Sequence, residues 1–166
     1  MAATRDEEFR SFFQSEGEGI RRLGVFLTGD AEKGADLAQE ALARTYRHWG
    51  RIRNHDPGPY CRRILVNLVR SAYRRSLLER RHAEDRQPAG VIQADGGRVD
   101  EWLRLAPALK QLSPVRRAVI VLRFYEDMTE AEIASTLDRP VGTVKSDLHR
   151  GLNKLRELLG EREEQV

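Results

Sequence analysis

An all-α fold, built as two small helical domains joined by a flexible linker, is predicted by three features of this 166-residue sequence. Apolar residues recur at three- and four-residue steps through most of the chain, and no convincing alternating strand pattern appears. Helix-capping residues stand where the periodic runs begin. One stretch, 83–98 (AEDRQPAGVIQADGGR), keeps neither period. It holds one Pro, three Gly and a single apolar pair, Val91-Ile92. The expected division is therefore a domain over 1–82, a linker over 83–98 and a domain over 99–166. Each part is near the size at which one small core gives marginal stability.

Taken in order, Asp30 reads as an N-cap, after which Ala38, Leu42, Thr45 and Trp49 form an apolar stripe. A polar, breaker-rich loop is expected over 51–59, and Cys61, Leu65, Leu68 and Ala72 carry the next helix. Ser113-Pro114 is an N-cap followed by Pro at the first helical position, where a missing N–H costs nothing. Val115, Val119, Leu122 and Tyr125 supply the stripe behind it. Thr129-Glu130-Ala131-Glu132 is a capping box opening a short helix buried through Ile133, Ala134 and Leu137. Asp138-Arg139-Pro140 ends that helix, Asp being tolerant of a left-handed turn. A second helix then buries Val144, Leu148, Leu152, Leu155 and Leu159. Glu161 to Val166 reads as a fraying acidic tail.

The net charge is only +3, but it is unevenly spread. From Arg44 to Arg81 there are eleven Arg against Asp56 and Glu79, a local net of +9. The span 83–101 holds two Arg against five acids, a net of −3, and 139–156 holds five Lys/Arg against Asp147 alone. Two basic stretches divided by an acidic spacer fit two contacts with one polyanion; solvated Arg-rich helices are the alternative. No apolar run approaches the roughly 18 residues of a membrane span. The first residues lack the apolar region of a secretory signal, so a cytoplasmic location without membrane insertion is expected. Cys61 is the only cysteine and falls at an apolar helix position, as a small core residue. His48, His55, His82 and His149 are scattered, so no metal site, cofactor or catalytic group is expected.

Two helices joined by a tight turn, the second longer and basic, follow the helix-turn-helix plan. The outward face of the second holds Thr143, Lys145, Ser146, His149, Arg150 and Asn153, side chains that donate to phosphates or base edges. Arg139 and Lys154 flank that face and are placed to grip phosphates. The strings Leu112-Ser113-Pro114-Val115-Arg116-Arg117, Leu122 to Thr129, Glu132-Ile133-Ala134 and Pro140-Val141-Gly142-Thr143-Val144-Lys145-Ser146 resemble region 4 of bacterial sigma factors. More narrowly, they are similar to the extracytoplasmic-function (ECF) group of the sigma-70 type. The resemblance implies reading of a duplex −35 promoter element, with Val144 added to the contact set. Pro107 departs from the family pattern and is predicted to shorten or kink the first helix of this module.

In the N-terminal part, Asp36, Gln39, Glu40 and Arg47 lie away from the apolar stripe. The run Asp36-Leu37-Ala38-Gln39-Glu40-Ala41-Leu42 resembles sigma region 2.2. That resemblance implies docking on the clamp helices of the largest subunit of core RNA polymerase, with Asp36, Leu37, Gln39, Glu40 and Arg47 as contacts. The next helix carries Arg63, Asn67, Arg70 and Arg74 at steps of four, three and four, beside Tyr73 and extended by Arg75, Arg80 and Arg81. Cations that track phosphate and an aromatic face that stacks on bases suit single-stranded DNA. Tyr60-Cys61-Arg62-Arg63-Ile64-Leu65-Val66-Asn67 resembles regions 2.3 and 2.4, implying capture of the melted −10 strand, with Arg53, Asn54, His55 and Asp56 forming a loop that holds a flipped base. Ser71 departs from the family, many of whose members carry Asp there.

The resemblance covers both modules and implies an alternative sigma factor that binds core polymerase, recognises the −35 and −10 elements and promotes promoter opening. It also implies an anti-sigma protein as a further partner. A stand-alone helix-turn-helix regulator remains the competing reading; it leaves the Asp36–Glu40 face and the second basic stripe unused.

Overall fold

The computed structural model describes residues 2–79 and 97–163. Among them no strand occurs; the elements are α1 (Arg5–Thr28), α2 (Ala31–Arg47), α3 (Trp49–Ile52), α4 (Pro57–Glu79), α5 (Gly97–Lys110), α6 (Pro114–Ile120), a π-helical turn (Val121–Tyr125), α7 (Glu130–Leu137) and α8 (Val141–Glu163). They fall into two compact units, and Phe26–Gly29 groups with the second. Most of the expected linker lies outside the described residues, as do Arg80, Arg81 and His82. Its last two positions, Gly97 and Arg98, already belong to α5.

In the first unit, α2 packs on α4. Asp30 caps α2 by accepting a hydrogen bond from Lys33 N at 3.0 Å, satisfying one of the helix's orphan donors. Ala38, Leu42, Thr45 and Trp49 are buried, as are Cys61, Leu65 and Leu68. The Thr45 hydroxyl avoids an orphaned polar group by donating to Ala41 O at 2.8 Å. Helix α1 approaches α2 through two glycines. A Cβ placed on Gly34 would stand 2.5 Å from Val25 N and 2.6 Å from the Gly24 carbonyl carbon. At its other end α1 inserts Phe9 and Phe12 against Trp49, with ring centroids 5.2 and 5.4 Å away.

The loop expected over 51–59 is shorter than the sequence implied. Pro57 and Pro59 both fall in the first turn of α4, where neither needs to donate a backbone hydrogen bond. Asp56 accepts from Gly58 N at 3.2 Å and opens the helix. Arg51 and Ile52 close α3, leaving Arg53–Asp56 as the connection.

In the second unit, α5, α6 and α7 all pack on α8. Helix α5 runs through Pro107 to Lys110, so the expected shortening does not occur. Its C-terminal carbonyls are satisfied by Arg117, only 7% exposed, whose guanidinium donates to Leu109 O at 2.9 Å and to Lys110 O and Leu112 O at 3.1 Å. Pro114 opens α6 as expected, although the Ser113 side chain makes no capping bond. The stripe of Val119 and Leu122 is buried, but α6 passes into a π-turn marked by Glu126 N donating to Val121 O at 3.2 Å. Asp127 follows with φ 54°.

Candidate nucleic-acid and polymerase interfaces

The helix-turn-helix is fixed by local chemistry at both ends of α7. Thr129 accepts from Glu132 N at 3.2 Å while Glu132 accepts from Thr129 N at 2.7 Å, so the capping box closes. These bonds hold the Glu132 carboxyl below the ordinary range, the backbone N–H of Thr129 contributing most. Asp138 ends α7 in the left-handed region, φ 51° and ψ 54°, and Arg139 N returns to Ala134 O at 2.9 Å. Pro140 then starts α8 by accepting from Thr143 N and Val144 N.

This geometry exposes Lys145, Ser146, His149, Arg150, Asn153 and Lys154 along α8, with Thr143 half-buried beside them. Val144 is fully buried, which removes it from the contact set expected from the sequence. It points from α8 into the core, as the apolar periodicity itself required. The exposed face is also internally bonded. Ser146 Oγ donates to Gly142 O at 3.1 Å, Asn153 Nδ2 lies 3.2 Å from His149 Nε2, and Arg156 reaches Asn153 Oδ1 at 3.2 Å. Lys145 sits 3.9 Å from Glu130, and Lys154 3.3 Å from Glu157. Arg139 meets Asp147 at 3.2 Å, and Asp147 also stands 3.9 Å from Arg116.

In the first unit, α4 exposes Arg63, Asn67, Arg74 and Arg75, with Arg70 and Tyr73 half-buried on the same helix. Arg53, Asn54, His55 and Asp56 are exposed in the connection before it. The sequence reading missed what holds that connection. Glu8 of α1 accepts from the Trp49 indole at 3.0 Å and pairs with Arg53 at 3.4 Å, while Glu16 pairs with Arg62 at 3.0 Å. On α2, Asp36, Gln39 and Arg47 are exposed, and Leu37 and Glu40 are half-buried. Arg44 hydrogen-bonds Glu40 at 2.7 Å and holds its carboxyl below the ordinary range. Cys61 is buried, and desolvation pushes its thiol upward. Among the described residues no helix is long and apolar enough to cross a membrane.

One chain that holds both a helix-turn-helix unit with a polar outer face and a helical unit with a basic stripe has the makings of a nucleic-acid-binding protein. Two family models resolve the class. Sigma-70 region 2 matches residues 12–77 and sigma-70 region 4 matches 103–155. The RNA polymerase sigma-E factor of Streptomyces antibioticus is 36% identical over 164 residues, covering 98% of this chain and 91% of that protein. The ECF RNA polymerase sigma factor SigL of Mycobacterium tuberculosis is 33% identical over 170 residues, covering 96% and 93%. The chain therefore belongs to the sigma-70 family of RNA polymerase sigma factors, in its extracytoplasmic-function group. Its fold is shared with the sigma factor RpoE of Bartonella quintana, solved in complex with the anti-sigma factor NepR. There the TM-score is 0.75 at 22% identity, with 92% of this chain and 96% of the other covered. As an alternative sigma factor, the chain works with core RNA polymerase and promoter DNA.

Proposed function

We propose that α8 reads the −35 element as duplex DNA, that α4 and the Arg53–Asp56 connection capture the melted −10 strand, and that the exposed face of α2 docks on the polymerase clamp helices. The observation that carries this reading is that each of these three helices keeps a polar face outward from the core of its own unit. The polar face of α8, the basic stripe of α4 and the mixed-charge polar face of α2, with Asp36, Gln39 and Arg47 exposed, each lie outward, opposite a buried apolar stripe. The reactive chemistry of initiation belongs to the polymerase, so the chain contributes binding and strand separation and no covalent step. It acts in the cytoplasm. An anti-sigma protein sequesters it, as NepR binds RpoE in the fold relative.

Run-off transcription from fragmented genomic DNA, using sigma-free core polymerase with and without this chain, tests the proposal. New transcripts whose start sites share paired −35 and −10 elements support it. No new transcripts from active components, together with specific duplex binding in the absence of polymerase, would replace it with a stand-alone regulator. A joint Asp36→Lys and Glu40→Lys change separates the faces. It should abolish polymerase binding while leaving duplex binding by α8 intact.

A further inference from the structure

Asp147 is the one acid among five Lys/Arg in residues 139–156, and the structure sets it near one of them, Arg139, and near Arg116 of α6. One carboxylate oxygen lies 3.2 Å from Arg139 Nη1 and the other 3.9 Å from Arg116 Nε. The Asp147 side chain is 15% exposed, whereas those of Arg116 and Arg139 are 35% and 37% exposed. The anion is thus shielded beneath two accessible guanidiniums. On α8 it follows Thr143 by four residues and precedes Arg150 by three, which places it at the border of the groove-facing surface. Arg139 comes from the turn and Arg116 from α6, so one carboxylate ties three segments of the unit to that border.

We propose that Asp147 is a specificity-determining positioning residue. It fixes Arg139 and Arg116 at the edge of the −35 interface and cancels one of their two charges. This rests on the reading of α8 as the −35 helix. Phosphate attraction acts equally on all sequences, while base contacts discriminate. An unrestrained Arg pair would grip any duplex in whatever register it met. A restrained, half-neutralised pair adds affinity only where the backbone passes the point at which α8 also meets its bases. Arg116 therefore joins the DNA-facing set, and Asp147 limits non-specific binding.

The test compares unsubstituted, Asp147→Asn and Asp147→Glu chains, each assembled with core polymerase. The probes are a promoter fragment recovered from the run-off transcripts and the same fragment with its −35 segment scrambled, titrated across a salt series. Asn keeps the size of the side chain and releases one net positive charge. That is equivalent to gaining about one phosphate contact, worth about five-fold in affinity at 0.15 M salt and about 0.9 in the salt slope. Asp147→Asn should therefore bind the scrambled fragment about five-fold more tightly, steepen its salt slope by nearly one, and lose preference for the intact −35 segment. Asp147→Glu should keep the unsubstituted salt slope and most of the preference. If Asp147→Asn weakens both fragments equally and leaves the salt slope unchanged, Asp147 is merely structural and the proposal falls. An unsubstituted chain that does not distinguish the two fragments would overturn the −35 reading itself.

Discussion

Replacing Gly34 by Ala offers a direct measurement of how closely α1 and α2 approach. The added methyl would meet Val25 N at 2.5 Å and the Gly24 carbonyl carbon and Val25 Cα at 2.6 Å, all backbone atoms that no rotamer change can move aside. Overpacking in a core costs about 1–3 kcal/mol when side chains can yield. With backbone on the opposing side, about 3 kcal/mol is the appropriate magnitude. A domain of this size shifts its Tm by about 4–8 °C per kcal/mol, so the transition of the first unit should fall by about 12–24 °C. Gly19 is the internal control, because it lies in α1 and a Cβ there meets nothing within 4 Å. Gly19→Ala should stabilise the same unit by about 0.5–1 kcal/mol through helix propensity alone. Thermal and urea melts followed by circular dichroism read both variants. The proposed polymerase contacts Asp36, Gln39 and Glu40 ride on α2, so on that reading Gly34→Ala should also lose core binding at temperatures where Gly19→Ala retains it. If Gly34→Ala melted within 0.5 kcal/mol of the unsubstituted chain, the close helix contact would be refuted.

Other outcomes can be checked with the same reagents. Thr129→Ala should destabilise the second unit by about 1 kcal/mol, since it removes the N-cap of α7. The Glu132 carboxyl is held low in the folded state, so its contribution is present above the ordinary carboxylate range and lost as pH falls through the lowered value. Melts of Glu132→Gln should accordingly differ from the parent at neutral pH and converge with it in acid. Tyr73→Ala should weaken binding of a single-stranded −10 oligonucleotide to the holoenzyme by about 1–3 kcal/mol, and unchanged affinity would remove Tyr73 from the stacking role. Substituting Lys145 or Arg150 by Ala should erase about 1–3 kcal/mol of discrimination at one −35 position if that residue reads a base. A uniform loss across sequences would identify a phosphate contact.

Much of the second unit was legible because its signals are local. The capping box at Thr129 and the left-handed Asp138 each need only a few neighbouring residues, and both appear as the sequence implied, while on α8 Val144 and Leu155 are buried as expected but Leu148, Leu152 and Leu159 are half-buried and Leu158 is buried in addition. The π-turn at Val121–Tyr125 was not legible, since the apolar spacing of Val119 and Leu122 is compatible with an uninterrupted α-helix. In the first unit α1 escaped notice, its period broken by Gly17, Gly19 and Gly24. With it went Glu8 and Glu16, whose partners Arg53 and Arg62 lie about forty-five residues away in the chain. The extent of the 51–59 loop was overstated because Pro and Gly were read as breakers, although Pro is accommodated at a helix start. Val144 carried two incompatible readings, one from periodicity and one from resemblance, and burial decided for periodicity. Asp147 was visible as an isolated acid, but only the fold shows which arginines it holds.

The seclusion of Cys61 has a practical corollary for observing initiation. Its thiol is enclosed in the first unit and biased toward the protonated form, so maleimide reagents should pass it by in the native chain. A single cysteine introduced at exposed Ser71 or Ala43 would then be the only reactive handle, with no prior removal of the native thiol. A fluorophore placed there could follow strand capture or clamp docking in real time on an otherwise unaltered protein.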